Sequence, residues 1–177
     1  LLPIQADFLA RDVPEQQWNQ SVLLHSAQPL DLAAVRGAVV ALLAHHDALR
    51  LRYSRDENGQ WRQTYAAPQT EAEVADGVIW RREAASAAAV TEICQQAQRS
   101  LDVQAGPLLR AVAIAMADGS ARLLLVIHHL AVDGVSWRIL LQDLAQAYDL
   151  SQPGSYRLSY RVQPLALTRN NDTSPSE

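Results

Sequence analysis

Two adjacent histidines followed by an Asp-Gly pair are the residues of this chain best suited to chemistry. His128 and His129 follow an apolar run over residues 121–127, and Asp133 and Gly134 come shortly after them. A histidine exchanges protons near neutral pH, so one at the end of a buried strand can act as a general acid or base next to a carbonyl group. The sequence therefore predicts a reactive site between His128 and Gly134.

The elements that must position this site are a strand, a loop and a helix. Residues 121–127 are rich in large aliphatic side chains, which is typical of a strand covered on both faces. Asp133 and Gly134 predict a tight reversal in which the glycine accepts a positive φ. Ser136 is the predicted cap of a helix, whose N-terminus would stabilise a developing oxyanion near the imidazole. The apolar stripe of that helix consists of Trp137, Leu140, Leu141, Leu144 and Tyr148.

The sequence around the histidines resembles a known family signature. Residues 127–141 read Ile-His-His-Leu-Ala-Val-Asp-Gly-Val-Ser-Trp-Arg-Ile-Leu-Leu. This block resembles the HHxxxDG signature of the condensation-domain superfamily of nonribosomal peptide synthetases, and its Val-Ser-Trp-Arg continuation resembles the epimerization branch. Further blocks resemble epimerization domains in the same order, at residues 2–5 and 18–24, 45–53, and 106–110. Four motifs in register make the resemblance specific.

The resemblance implies a fold and a domain organisation. The fold class is α/β, a chloramphenicol-acetyltransferase-like sandwich lobe with a mixed, largely antiparallel sheet and flanking helices. We assign residues 1–150 to the N-terminal lobe of an epimerization/condensation-like domain. Residues 151–177 form a divergent tail that we expect to be partly disordered, because it ends in polar residues. Complete domains of the family continue with a C-terminal lobe, so we expect half of such a domain here.

The residue pattern independently predicts alternating strands and helices. Asn58-Gly59 and Asp118-Gly119 are predicted hairpin turns, and Asp31 and Ser86 are predicted helix caps. The predicted strands cover residues 19–24, 49–55, 60–65, 78–82, 108–116 and 121–127, and the predicted helices start after residues 31, 86 and 136.

Composition narrows the classes of protein and partner. With 177 residues, 49% of them hydrophobic, the chain can bury one sizeable core. A net charge of -4 without a basic cluster argues against nucleic acid as a partner. A single cysteine, Cys94, excludes an internal disulfide and a multi-cysteine metal site. Because no long apolar segment or signal peptide is evident, we expect no membrane partner and a cytoplasmic location.

The resemblance implies a catalytic role for His129. In the complete domain this histidine would exchange the Cα proton of an L-aminoacyl or peptidyl thioester, an isomerase reaction of antibiotic biosynthesis and secondary metabolism. The substrate would hang on the 4'-phosphopantetheine arm of a peptidyl or aminoacyl carrier protein domain. The lobe would need no metal and no cofactor of its own. The second acid/base, a glutamate, would lie in the C-terminal lobe, so we expect this lobe alone to be incomplete as a catalyst.

The remaining residues of the segment are expected to support His129. His128 is expected to be structural, since neighbouring strand residues point to opposite sides. Asp133 is expected to be a buried carboxylate that braces the loop through an arginine, with Arg50 as the candidate partner, and Gly134 completes the motif. Ser136 and Trp137 are expected to line a substrate tunnel. His45 and His46 are expected to be structural residues at a helix C-terminus.

Two other functions remain open. The lobe could belong to a condensation domain, in which His129 positions an attacking amine for amide formation. Alternatively, it is a non-catalytic module that docks a carrier protein or another copy of itself. A half-domain would leave a face near Val132, Val135 and Trp137 and a sheet edge uncovered, so we expect a homodimer or larger assembly.

Overall fold

The structure, a computed structural model, describes residues 1–10, 18–150 and 163–164. Its helices are α1 Pro3–Ala10, α2 Leu32–His45, α3 Glu71–Gly77, α4 Ala87–Gln98 and α5 Ser136–Leu150. Its strands are β1 Asn19–Ser26, β2 Leu51–Arg55, β3 Trp61–Tyr65, β4 Ile79–Ala84, β5 Leu109–Met116, β6 Ala121–His128 and β7 Gln163–Pro164. A short 3-10 helix, Asp47–Arg50, leads from α2 into β2.

A mixed sheet forms the centre of the lobe. Within the described residues its strand order is β4-β5-β6-β1-β7, and β2 and β3 form a separate hairpin. β6 pairs antiparallel with β5 on one side and with β1 on the other, whereas β4 runs parallel to β5. The predicted mixed, largely antiparallel α/β lobe is confirmed.

Helices cover both faces of β6, as its apolar sequence predicts. Leu123, Leu125 and Ile127 face a core shared with α2 and α5. Leu124 and Val126 point to the opposite face and pack with α4. Because residues 123–128 of the strand are buried throughout, its end provides a firm base for the loop that carries His129.

Most of the predicted local signals are confirmed. Asp31 caps α2 and Ser86 caps α4 through their side-chain oxygens. Gly59 and Gly119 have φ values of 75° and 80°, as the two hairpin turns require. Helices α1 and α3 were not predicted, although Thr70 and Glu73 form a reciprocal capping box at the start of α3.

The structure describes only a small part of the segment assigned to the tail. Residues 163–164 pair with Val22 and Leu23 at the outer edge of β1, so this part of the sheet edge is covered. Val132, expected to be uncovered, is only 4% exposed because it packs in the core between α2 and α5, whereas Val135 is 76% exposed. The division at residue 150 and the homodimer stay predictions. No helix of the described residues is long and apolar enough to span a bilayer.

Candidate active site

His129 follows directly after β6 and is half-buried. Its backbone N–H donates to the carbonyl of Trp18 at 2.7 Å, which fixes the first residue of the loop against the chain ahead of β1. Its ring stacks on the indole of Trp18, with centroids 4.3 Å apart and planes inclined by 26°. The imidazole plane is therefore set by an aromatic neighbour and by the strand end that carries it.

A glutamine of β1 connects His129 to helix α5. The side-chain nitrogen of Gln20 lies 2.9 Å from Nε2 of His129, and the indole N–H of Trp137 donates to Oε1 of Gln20 at 2.8 Å. An indole N–H can only donate, so the Gln20 oxygen faces Trp137 and the NH₂ group faces His129. It follows that Nε2 of His129 accepts this hydrogen bond and that Nδ1 carries the proton of the neutral ring.

His128 is the last residue of β6. Its side chain is fully buried, and Nδ1 accepts a hydrogen bond from the backbone N–H of Leu130 at 3.2 Å. The ring also meets Phe8 edge-on at a centroid distance of 5.8 Å. These contacts support a structural role for His128, which packs the strand end and shapes the loop.

The expected pairing of Asp133 with an arginine is wrong. Asp133 is exposed, and its Oδ1 accepts from the backbone N–H groups of Val135 and Ser136 and from the Ser136 hydroxyl, at 3.1, 2.7 and 2.6 Å. Arg50 instead binds Asp47 and the carbonyls of Leu43, Ala44 and Ala66. Asp133 is a helix cap, and a cap needs no cation because backbone donors stabilise its charge.

Ser136 and Gly134 also differ from expectation. Ser136 is the first residue of α5 and donates to Asp133, so the cap lies three residues earlier than predicted. Gly134 does not have a positive φ, and a Cβ added to it would meet no atom within 4 Å. The reversal therefore does not require glycine at this position, and the local backbone does not explain its presence.

The start of α5 offers fewer free donors than expected. The N–H groups of Val135 and Ser136 donate to the Asp133 side chain, that of Trp137 to the Asp133 carbonyl, and that of Arg138 to the Val135 carbonyl. The helix can therefore act on the site through its dipole, but these amides already have acceptors.

The carboxylate of Asp133 contributes negative charge at the start of α5, in the loop that follows His129. Its hydrogen bonds from the side chain and backbone of Ser136, and from Val135, hold the pKa of Asp133 below its usual value, with a further contribution from the charge of His129. Asp133 is therefore ionised at neutral pH.

The sequence analysis missed Trp18 and Gln20 as parts of the site. Trp18 stacks on both Phe8 and His129, each at 4.3 Å between centroids. Gln20 has no local signal, because its partners lie 109 and 117 residues away in the chain.

This arrangement can be compared with known proteins. The chain matches the family model described as Condensation domain over residues 2–163. It belongs to the condensation-domain family. It is 48% identical over 158 residues to a linear gramicidin synthase polypeptide from Brevibacillus parabrevis, covering 88% of this chain and 3% of that protein. It is 40% identical over 152 residues to surfactin synthase subunit 2 from Bacillus subtilis (strain 168), covering 84% and 4%. These relatives are components of nonribosomal peptide synthetases.

Solved structures share the fold. The epimerization domain from the third module of tyrocidine synthetase B matches with a TM-score of 0.75 and 37% identity, over 85% of this chain and 34% of that one. The first condensation domain of the CDA synthetase matches with a TM-score of 0.65 and 21% identity, over 82% and 36%. The chain thus corresponds to about a third of either solved chain, and it is a condensation-domain-like lobe of the kind found in these synthetases.

Proposed function

We propose that this lobe belongs to an epimerization domain, in which His129 exchanges the Cα proton of a carrier-bound aminoacyl or peptidyl thioester. The observation that carries the proposal is the similarity to the tyrocidine synthetase epimerization domain, at 37% identity against 21% for the condensation domain. The Val-Ser-Trp-Arg sequence of residues 135–138, which resembles the epimerization branch, supports the same choice.

The proposed reaction begins at Nε2 of His129. This nitrogen takes the proton from Cα and leaves the thioester as its enolate, while the ring becomes an imidazolium. A second acid on the opposite face then returns a proton to Cα, so the configuration inverts and no atom is gained or lost. The resemblance assigns that acid to a glutamate of a C-terminal lobe, which the proposal requires as a partner.

Gln20 and Trp18 position the base in this proposal. Gln20 donates to Nε2, so the lone pair that would take the proton is occupied until substrate displaces the amide. Trp18 keeps the plane of the ring fixed by stacking during that exchange. The bound Gln20 amide shields Nε2 from protonation by solvent. The base becomes available only when substrate displaces the amide.

The carrier protein is the proposed macromolecular partner. It would deliver the substrate on its 4'-phosphopantetheine arm, and the cofactor would belong to the carrier. Trp137 and Ser136 remain the proposed tunnel residues. Trp137 is half-buried beside Gln20, whereas Ser136 directs its hydroxyl to Asp133.

The test measures Cα exchange in D₂O with the chain joined to a C-terminal lobe and an aminoacyl-phosphopantetheinyl carrier protein. We expect deuterium at Cα together with inversion. The His129→Ala variant should lose roughly 10²- to 10⁴-fold in rate, the usual contribution of a general acid/base. His25→Ala is the matched control, because His25 lies exposed on β1, and this variant should retain the rate.

Three other outcomes would overturn the proposal in whole or in part. An amide product formed from two loaded carrier proteins, without Cα exchange, would assign the lobe to a condensation domain, the second candidate favoured by the family model itself. Carrier binding with neither reaction would leave a docking module. Wild-type exchange in His129→Ala would place the base elsewhere.

A further inference from the structure

A second cluster of histidine and carboxylate side chains lies where α2 meets α5. His45 is the last residue of α2, His46 is its C-cap, and Asp143 belongs to α5. Nε2–H of His46 donates to Oδ2 of Asp143 at 2.8 Å, and the rings of His45 and His46 meet edge-on at 4.9 Å between centroids. One ligand atom from each of the three residues lies within 4.8 Å of the other two.

The chemistry of this cluster suits a divalent transition metal. Two imidazole nitrogens and one carboxylate oxygen are a set of ligands that Zn²⁺ accepts, and three protein ligands leave a fourth position for water. An ion pair between His46 and Asp143 would explain those two residues. That ion pair does not use the exposed ring of His45, which meets His46 edge-on and brings a second imidazole nitrogen within 4.8 Å of the carboxylate oxygen.

The distances require only a small adjustment. Around a tetrahedral zinc, ligand atoms at about 2.0 to 2.1 Å from the metal lie roughly 3.3 Å apart. His46 and Asp143 are already closer than that, at 2.8 Å, so the main movement falls on His45. His45 is exposed at a helix end, where a change of rotamer meets little resistance. His45 and Asp143 also border a surface hollow of about 500 Å³, which gives a hydrated cation access.

We propose that His45, His46 and Asp143 form a binding site for Zn²⁺ or a similar divalent transition metal. The bound ion would replace the hydrogen bond between His46 and Asp143 and would join the C-terminus of α2 to the middle of α5. This site does not involve His129, and the proposal is independent of the proposed epimerization.

The test titrates the metal-free full chain with Zn²⁺ at neutral pH, by calorimetry and by thermal unfolding. We expect one equivalent to bind and Tm to rise by about 3 °C or more at saturating metal. His45→Ala removes a ligand without breaking the contact between His46 and Asp143, and it should weaken binding at least tenfold and abolish the Tm shift. His25→Ala, an exposed histidine on β1, is the matched control and should bind as the wild type does.

Co²⁺ provides a second test of the site if Zn²⁺ binds weakly. Co²⁺ added to the wild type should give the visible absorption of a four-coordinate ion, and His45→Ala should lose it. Equal Zn²⁺ affinity in the wild type and in His45→Ala would overturn the proposal, because the ion would then lie elsewhere. Failure of the wild type to bind either ion would leave only an ion pair between His46 and Asp143 and would overturn it too.

Discussion

Replacing Trp137 by phenylalanine removes one hydrogen-bond donor from the candidate site and keeps an aromatic ring in place. In the wild type the indole N–H holds the oxygen of Gln20 at 2.8 Å, so the amide presents its NH₂ group to Nε2 of His129. Without the indole, the amide can turn over and accept a hydrogen bond from Nε2–H. A neutral hydrogen bond is worth about 0.5 to 1.5 kcal/mol. The ratio of the two His129 tautomers should therefore move toward the Nε2–H form by roughly 2- to 12-fold.

Nitrogen NMR of the imidazole measures this ratio, because protonated and unprotonated ring nitrogens differ in chemical shift. Spectra of a His129→Ala variant identify the resonance. Trp61→Phe is the matched control, since its indole N–H also donates one hydrogen bond, at 2.9 Å to the carbonyl of Leu9, away from His129. If Trp137→Phe leaves the tautomer ratio of His129 unchanged, or if Trp61→Phe changes it equally, Gln20 does not fix the tautomer and our interpretation of the site is wrong.

Further predictions concern stability and reactivity. His128→Ala should lower stability by about 1 to 3 kcal/mol in denaturant titrations, because the buried Leu130 N–H loses its acceptor; an unchanged midpoint would contradict this. Asp133→Ala should lower Tm at pH 7 while Asp133→Asn retains most of the cap. The depressed pKa of Asp133 means that its contribution is present above about pH 4 and is lost as the pH falls through that pKa. A difference between Asp133→Ala and wild type that persists at pH 2 would refute this. Gly106→Ala should cost at least about 1 to 2 kcal/mol, since φ is 82° and the new Cβ would meet the Arg52 guanidinium. Burial raises the pKa of the Cys94 thiol, so alkylation should be slow in the native protein and fast in urea.

The fold could be predicted where short-range signals determine it. The continuous apolar run of residues 123–127 in β6 indicates two covered faces, and Gly59 with its positive φ marks a hairpin. Asp31 precedes a periodic apolar segment and caps the helix that follows. In each case the residues that carry the signal are the residues that make the structure.

The site could be predicted only in part, because its polar contacts connect distant segments. The alternation of side chains predicts different surroundings for His128 and His129, and the structure shows His128 fully buried and His129 half-buried beside Trp18 and Gln20. For Asp133 the sequence could not distinguish a buried carboxylate that needs an arginine from an exposed one that caps a helix. The role of Gln20 depends on two partners more than 100 residues away, and no local pattern reports such a contact.

The position of β1 in the sheet has a consequence for the order of folding. β5 and β6 are joined by a tight turn at Gly119, so their pairing closes a short loop, whereas the contact between Gln20 and His129 closes one of 109 residues. The entropy of closing the longer loop costs about 4 kcal/mol beyond a constant term. We therefore expect β1 to join the sheet late, although it is synthesised before the other strands. The environment of His129 would then be completed only in the last stage of folding, and its ring would serve as a probe of that step.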